Sequence, residues 1–483
     1  QGDRAAAASA TDERAGAAER VSRSAERAQA WGMHYLKSVS PQLHVARLSR
    51  ALPADEARAL IEQLQADPVV ASVTIDQRVR PHALPLPTDP FFTTASSGYY
   101  QWHLQAPSVV PGGINAAAAW ASSTGANVTV AVLDGGYRPH PDLAANLLTA
   151  SDYDFISDLW TANDGNLRDA DAQDPGDWVS ATDPDKPLDC LVEDSTWHGT
   201  HVTGLLGALA NNTDGVGVAP GVKVLPVRVL GRCGGYLSDI LAGMRWAAGL
   251  SVTGVSNTST PVRALNLSLG VEGACDAATQ EVINEVRARG VSIVASTGND
   301  GLTAITKPAS CAGVVAATAH DRNGVLASYA NVGPGTAISA PGGERDGAVA
   351  STWNLGKTVP GADSYGLMYG TSMAVPQVVG VLALMASVRP DLPMSELEKV
   401  LLSTARPFPA DTYCSRNPGQ CGAGMLDAGA AVAAVQTYVP VAEADGGDGD
   451  GDEAGYAELV DDARQFLTGR SQQVQRKLEQ WQG

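Results

Sequence analysis

Aromatic side chains are scarce, at 5% of 483 residues, and no uninterrupted apolar run approaches the roughly 18 residues that a membrane-crossing helix needs. No membrane span is therefore expected. Cations are few: 33 Lys and Arg stand against 52 Asp and Glu, a formal charge of −19. That balance argues against nucleic acid or an anionic membrane surface as a partner. The six cysteines (Cys190, Cys233, Cys275, Cys311, Cys414, Cys421) include no CxxC pair and no Cys/His grouping at zinc spacing. An even, scattered set favours disulfides made in an oxidising compartment. Several connectivities are open to six cysteines; nearest partners give Cys190–Cys233, Cys275–Cys311 and Cys414–Cys421, the last closing a short polar loop. Neither Met nor an apolar leader opens the chain, so an exported protein is expected here without its signal segment.

What is abundant is small and apolar. Apolar residues make up 44% of the chain and Gly alone accounts for 51 positions, enough for a large core in which helices pack closely on a sheet. Residues 3–30 are Ala-, Glu- and Arg-rich and read as helical. Residues 42–50 alternate as a strand, Ala57, Leu60, Ile61 and Leu64 repeat at helical spacing, and Val69–Ile75 reads as a second strand, a small β-α-β unit. Residues 77–98 carry four prolines and read as an extended, exposed linker.

From Ile114 to about Val435 short apolar strands alternate with helices, the pattern of a parallel sheet covered on both faces. Strands are expected at Val128–Leu133, Val222–Val229, Val262–Leu269, Val291–Ser296 and Gly313–Thr318. Helices are expected at 198–211, 237–249, 276–289, 372–388 and 394–404. After Pro440 an Asp/Gly run at 443–455 is too polar to fold alone, and 456–481 reads as a single helix. The resulting division is 1–82, 83–440 and 441–483.

Four stretches carry chemistry. A strand ends in Asp134 (Val-Ala-Val-Leu-Asp-Gly-Gly), and His198 opens a helix (His-Gly-Thr-His-Val-Thr-Gly). Asn299 follows another strand (Ser-Thr-Gly-Asn-Asp-Gly), and Ser372 sits in Gly-Thr-Ser-Met-Ala-Val-Pro. Taken singly these are a turn acid, a residue at a helix start, a loop amide and an N-cap serine. Together they supply what acyl transfer needs: a nucleophile near a helix N-terminus, a base, an acid to orient it and a donor for the oxyanion. Pro376, about one turn into its helix, is expected to cost that helix nothing.

On these motifs the chain resembles the subtilisin-like serine peptidases, the peptidase S8 family, over roughly residues 99–435. Asp214-Gly-Val-Gly-Val-Ala-Pro, Leu-Pro-Val-Arg-Val-Leu-Gly at 225–231, Leu-Asn-Leu-Ser-Leu-Gly at 265–270 and Gln-Trp-His-Leu at 101–104 add to the match, and point to the secreted, disulfide-containing bacterial branch. The resemblance implies a three-layer α/β/α fold with a parallel sheet, preceded by a small α+β propeptide in residues 1–82 that chaperones folding and then blocks the cleft. It implies Asp134, His198 and Ser372 as the triad, with Asn299 and the Ser372 backbone N–H holding the oxyanion. Substrate is expected to bind between the backbones of Gly234, Gly235 and Tyr236 and of Ser268, Leu269 and Gly270. The S1 pocket is expected at 268–270 and 295–298 (Ser296, Thr297, Gly298), with Thr306 near its floor. No acid is evident there, which argues against Lys/Arg specificity. His201 is read as structural. Two positions depart from the family pattern: Gly135 stands where a Thr or Ser usually follows the acid, and Val375 replaces Thr or Ala before Pro376.

Asp164, Asp169, Asp171 and Asp174, with Asn163, lie in a turn-rich insertion whose clustered carboxylates suit a hard cation, and the resemblance favours calcium. The Asp run at 445–452 is a weaker candidate for the same ion. The function expected is that of a secreted, calcium-stabilised, monomeric serine endopeptidase acting on proteins and peptides. It is made as a zymogen whose own propeptide inhibits it until self-cleavage near His82–Leu84. The alternative is a catalytically silent peptide-binding protein that keeps the cleft; the intact four-residue constellation argues against it. A related acid-acting peptidase using Glu and Asp is disfavoured because His198 supplies a base.

Overall fold

The computed structural model describes residues 32–440 apart from 41–42, 51, 69, 74–85, 97, 184–185 and 189. The expected helices at 3–30 and 456–481, the acidic run and the self-cleavage segment lie outside the described residues. Two compact units divide between His82 and Ala83.

In the first unit, β1 (Met33–Ser40) pairs antiparallel with β2 (Leu43–Leu48), and α1 (Ala54–Gln65) follows. The order is thus β-β-α where β-α-β was expected. Lys37 interrupts the alternation that would have marked β1, and residues 70–73 of the expected second strand form none. Leu60, on the apolar face of α1, is 5% exposed.

The second unit is built on a seven-stranded sheet. Its strands are β3 (Thr129–Asp134), β4 (Tyr153–Asp154), β5 (Lys223–Arg228), β6 (Ala264–Leu267), β7 (Ser292–Ser296), β8 (Val315–His320) and β9 (Thr336–Pro341). They lie in the order β4-β5-β3-β6-β7-β8-β9, all parallel. The alternation within β3 makes the layers: Val130 and Val132 join one core, Ala131 and Leu133 the other. On the first face pack α2 (His198–Gly207), α5 (Thr371–Val388), α6 (Met394–Ser403) and α7 (Ala428–Thr437). On the second pack α3 (Leu237–Ala247) and α4 (Ala277–Ala288). This is the three-layer α/β/α arrangement of subtilisin-like folds.

A separate antiparallel pair, β10 (Val349–Asn354) and β11 (Asp363–Met368), leads into α5. Among the described residues α5 is the one helix long and apolar enough to cross a membrane, although Pro376, Gln377 and Gly380 break its apolar run. Its surroundings give another role, since 83% of the stretch is buried and it is the central helix of the core. Within the expected exposed linker most described residues are indeed exposed, but Asp89, Phe91 and Phe92 anchor it on this unit. Asp89 is wholly buried, the Phe91 N–H donates to the Asp214 carbonyl at 2.7 Å, and the Phe91 ring meets Tyr99 and Tyr365. Disulfides join Cys190 to Cys233, Cys275 to Cys311 and Cys414 to Cys421.

Candidate active site

Asp134 is the last residue of β3, at the carboxyl edge of a parallel sheet where ligand crevices form. It is 1% exposed, and its Oδ1 accepts from the Gly135 N–H at 2.7 Å and lies 2.8 Å from His198 Nδ1. Its Oδ2 is buried without a partner, in keeping with the missing hydroxyl at Gly135. His198 is the first residue of α2, reached through Trp197 in the left-handed region (φ 50°). Gly199 lets α2 come this close. A Cβ there would lie 2.1 Å from the Gly136 carbonyl oxygen and 3.2 Å from Asp134 Oδ1.

Burial alone would lower the His198 pKa; the Asp134 charge and hydrogen bond, with Asp177 and Asp174 beyond them, outweigh burial and hold it above its ordinary value. The bond to Asp134 places the ring proton on Nδ1 and leaves Nε2 as the acceptor facing the cleft. His201, one turn on, points away: it is wholly buried, Nε2 lies 3.1 Å from the Val349 carbonyl, and burial pushes its pKa down to about 3.

Ser372 is the second residue of α5. Its Oγ donates to the Ser268 carbonyl at 3.1 Å rather than to His198. Asn299 Oδ1 accepts from the Thr371 N–H at 2.9 Å and from Thr371 Oγ1 at 2.8 Å. Two donors on Oδ1 fix the amide's orientation and leave Nδ2 as the free donor beside the nucleophile.

Pro376 corrects the sequence expectation. It is the sixth residue of α5, inside the helix, so its missing N–H strands the Ser372 carbonyl. Ser268 Oγ donates to that carbonyl at 2.7 Å.

A cleft of about 720 Å³ brings together Asp134, His198, Asn299 and Ser372 with Gly234, Gly235, Ser268, Leu269, Gly270, Ser296, Gly298 and Thr306. Two expected residues do not line it. Thr297 is wholly buried, and Tyr236 is 57% exposed outside the cleft. The sequence reading missed Asp177, Glu193 and Thr196, which line it beside His198. The only signal for them was the acidity of the 152–194 insertion.

The four aspartates expected to share a metal do not gather. Asp164 pairs with Arg228 at 2.9 Å, and Arg228 also holds Asp154. Asp169 accepts from Asn166 at 2.6 Å, and Asp171 from the Gln173 N–H at 3.0 Å. Asp174 is buried along the cleft, where burial first and Asp177 second push its pKa up to about 7. Among the described residues, no group of three or more Asp, Glu, His or Cys side chains converges.

The profile of the Subtilase family matches residues 125–437. The chain belongs to that family. It is 43% identical over 413 residues to an "Extracellular protease" of Xanthomonas campestris pv. campestris, across 85% of this chain and 67% of that protein. It is 38% identical to an "Extracellular basic protease" of Dichelobacter nodosus, across 79% and 61%, so it spans about two thirds of these relatives' length. A solved protease of Pseudoalteromonas arctica superposes with a TM-score of 0.66 at 45% identity, covering 72% of this chain and 99% of that one. As a subtilase, the chain is a hydrolase of the serine endopeptidase class, and its relatives are named as extracellular.

Proposed function

We propose that this subtilase is exported and cleaves peptide bonds through Asp134, His198 and Ser372 by way of an acyl-enzyme. The observation that carries the reading is the 2.8 Å contact between Asp134 Oδ1 and His198 Nδ1 on the wall of the same cleft that Ser372 enters from a helix N-terminus. Substrate backbone adds as a strand between Gly234–Gly235 and Ser268–Gly270, which line the cleft. Ser372 Oγ then turns from the Ser268 carbonyl, gives its proton to His198 Nε2 and bonds to the scissile carbonyl carbon. The oxyanion forms between Asn299 Nδ2 and the Ser372 N–H, where fixed donors act at low dielectric. His198 returns the proton to the leaving amine, and water repeats the sequence on the acyl-enzyme.

Residues 1–82 act in this reading as a propeptide that assists folding and occupies the cleft until self-cleavage near His82–Leu84, after which the enzyme works as a monomer. Mass spectrometry beside a casein assay tests it. Wild type is expected to shed about 80 residues and cleave casein, as a domain-sized prosegment implies, while Ser372→Ala stays full length and inert. Activity in Ser372→Ala overturns the reading.

Calcium belongs to the same proposal, at a different place from the insertion. Asp89 is wholly buried with Oδ2 unpartnered. Asp142 is 1% exposed, and burial, then Asp89 and Asp214, push its pKa up to about 6 against the hydrogen bonds from Tyr365 and Asn211. Among the described residues no Lys or Arg pairs with either carboxylate. An oxygen-seeking cation held by Asp89, Asp142 and nearby carbonyls would relieve that burial. Chelation with EGTA is expected to lower the Tm of wild type and to leave Asp89→Asn unmoved; an unchanged wild-type Tm contradicts the site.

A further inference from the structure

Resting on the assignment of Ser372 as nucleophile, we propose that Ser268 is a positioning residue for it, acting through its side-chain hydroxyl. In an α-helix residue 376 donates its N–H to the carbonyl of residue 372, and Pro376 has no N–H to give. The carbonyl left stranded belongs to the nucleophile itself. Ser268 Oγ donates to it at 2.7 Å, and Asn266 Nδ2 donates to Ser268 Oγ at 3.0 Å. The second bond occupies the hydroxyl's acceptor side and aims its proton at Ser372. In return Ser372 Oγ donates to the Ser268 carbonyl at 3.1 Å, so each serine's side chain is bonded to the other's backbone. Asn266 is wholly buried and Ser268 is 3% exposed, which leaves water little access to replace the hydroxyl. The end of β6 thereby fixes the first turn of α5. With it are fixed the direction of the Ser372 N–H, which holds the oxyanion, and the backbone position from which Ser372 Oγ turns to His198 and attacks.

A second feature makes the idea separable from ordinary packing. The need for the Ser268 hydroxyl arises only because residue 376 is proline. If it is replaced by alanine, the helix supplies its own donor and the hydroxyl becomes dispensable.

The test compares Ser268→Ala, Pro376→Ala and the double variant, each in the full chain, by steady-state kinetics on one chromogenic peptide and by thermal melting. Ser268→Ala is expected to lower kcat about ten- to a hundred-fold, as small misplacements of reacting groups do, with KM little changed. Pro376→Ala is expected to behave like wild type. The double variant is expected to recover to within a few-fold of Pro376→Ala. If Ser268→Ala does not fold, the double variant decides, and it should fold and turn over. The proposal is overturned by a Ser268→Ala enzyme with wild-type kcat, by a folded double variant as slow as Ser268→Ala, or by a double variant that does not fold. Failure of the nucleophile assignment shows separately, as turnover in Ser372→Ala whatever the Ser268 variants do.

Discussion

Gly199 and Gly136 touch where α2 meets the end of β3: a Cβ on Gly199 would fall 2.1 Å from the Gly136 carbonyl oxygen. That approach sets His198 against Asp134. Gly199→Ala must push the helix back against backbone that has no side-chain freedom. The expected cost is about 1–3 kcal/mol of stability, together with a fall in kcat larger than the change in KM, read by melting and steady-state kinetics. Unchanged kcat would separate helix approach from catalysis.

The imidazole of His198 has to be neutral to accept a proton, and the surrounding carboxylates hold its pKa up. The acid limb of kcat/KM is therefore expected above pH 6.5, the ordinary histidine value. Asp177 contributes to that rise and lines the cleft. Removing its charge in Asp177→Asn destabilises the imidazolium, so the acid limb is expected to move to lower pH. A limb that stays in place or moves upward contradicts the electrostatic account.

His320 is wholly buried between Ser339 Oγ and the Gly112 carbonyl, and burial pushes its pKa down to about 4. Between that value and about 6.5 the unfolded chain carries a proton on this ring that the folded chain refuses. By linkage, its contribution to stability is present above the unfolded pKa and is lost as pH falls through that window. His320→Gln removes the titration while keeping a donor and an acceptor. The Tm difference between wild type and variant is expected to shift in the variant's favour from pH 7 to pH 4.5, and a difference independent of pH excludes the mechanism.

Asn299 Nδ2 is the donor left free once Thr371 has claimed Oδ1. Asn299→Ala is expected to lower kcat by about 10²–10³ with KM little altered, a magnitude carried over from removal of an oxyanion-hole amide in subtilisin itself. A loss confined to KM would show that the amide binds substrate rather than the oxyanion.

Much of this was legible in the sequence because it is local. The β3, β5, β6, β7 and β8 strands read as apolar runs, and Asp134, His198, Asn299 and Ser372 stand at element ends where a turn or a glycine marks them. What was missed depends on tertiary contact. Strand β9 (Thr-Ala-Ile-Ser-Ala-Pro) has too little hydrophobic contrast to stand out before β8 is there to pair with it. The four insertion aspartates lie close together in sequence, and only the fold shows that Arg228, far along the chain, pairs with one of them. Pro376 looked harmless until the structure showed which carbonyl it strands.

Covalent labelling of the nucleophile tests the central claim most directly. Wild-type enzyme treated with a sulfonyl fluoride and digested for peptide mass spectrometry is expected to carry one adduct, on Ser372. Labelling should collapse in His198→Ala, where nothing takes the hydroxyl proton. An adduct on a different serine, or labelling of Ser372 that is indifferent to His198, would contradict the triad.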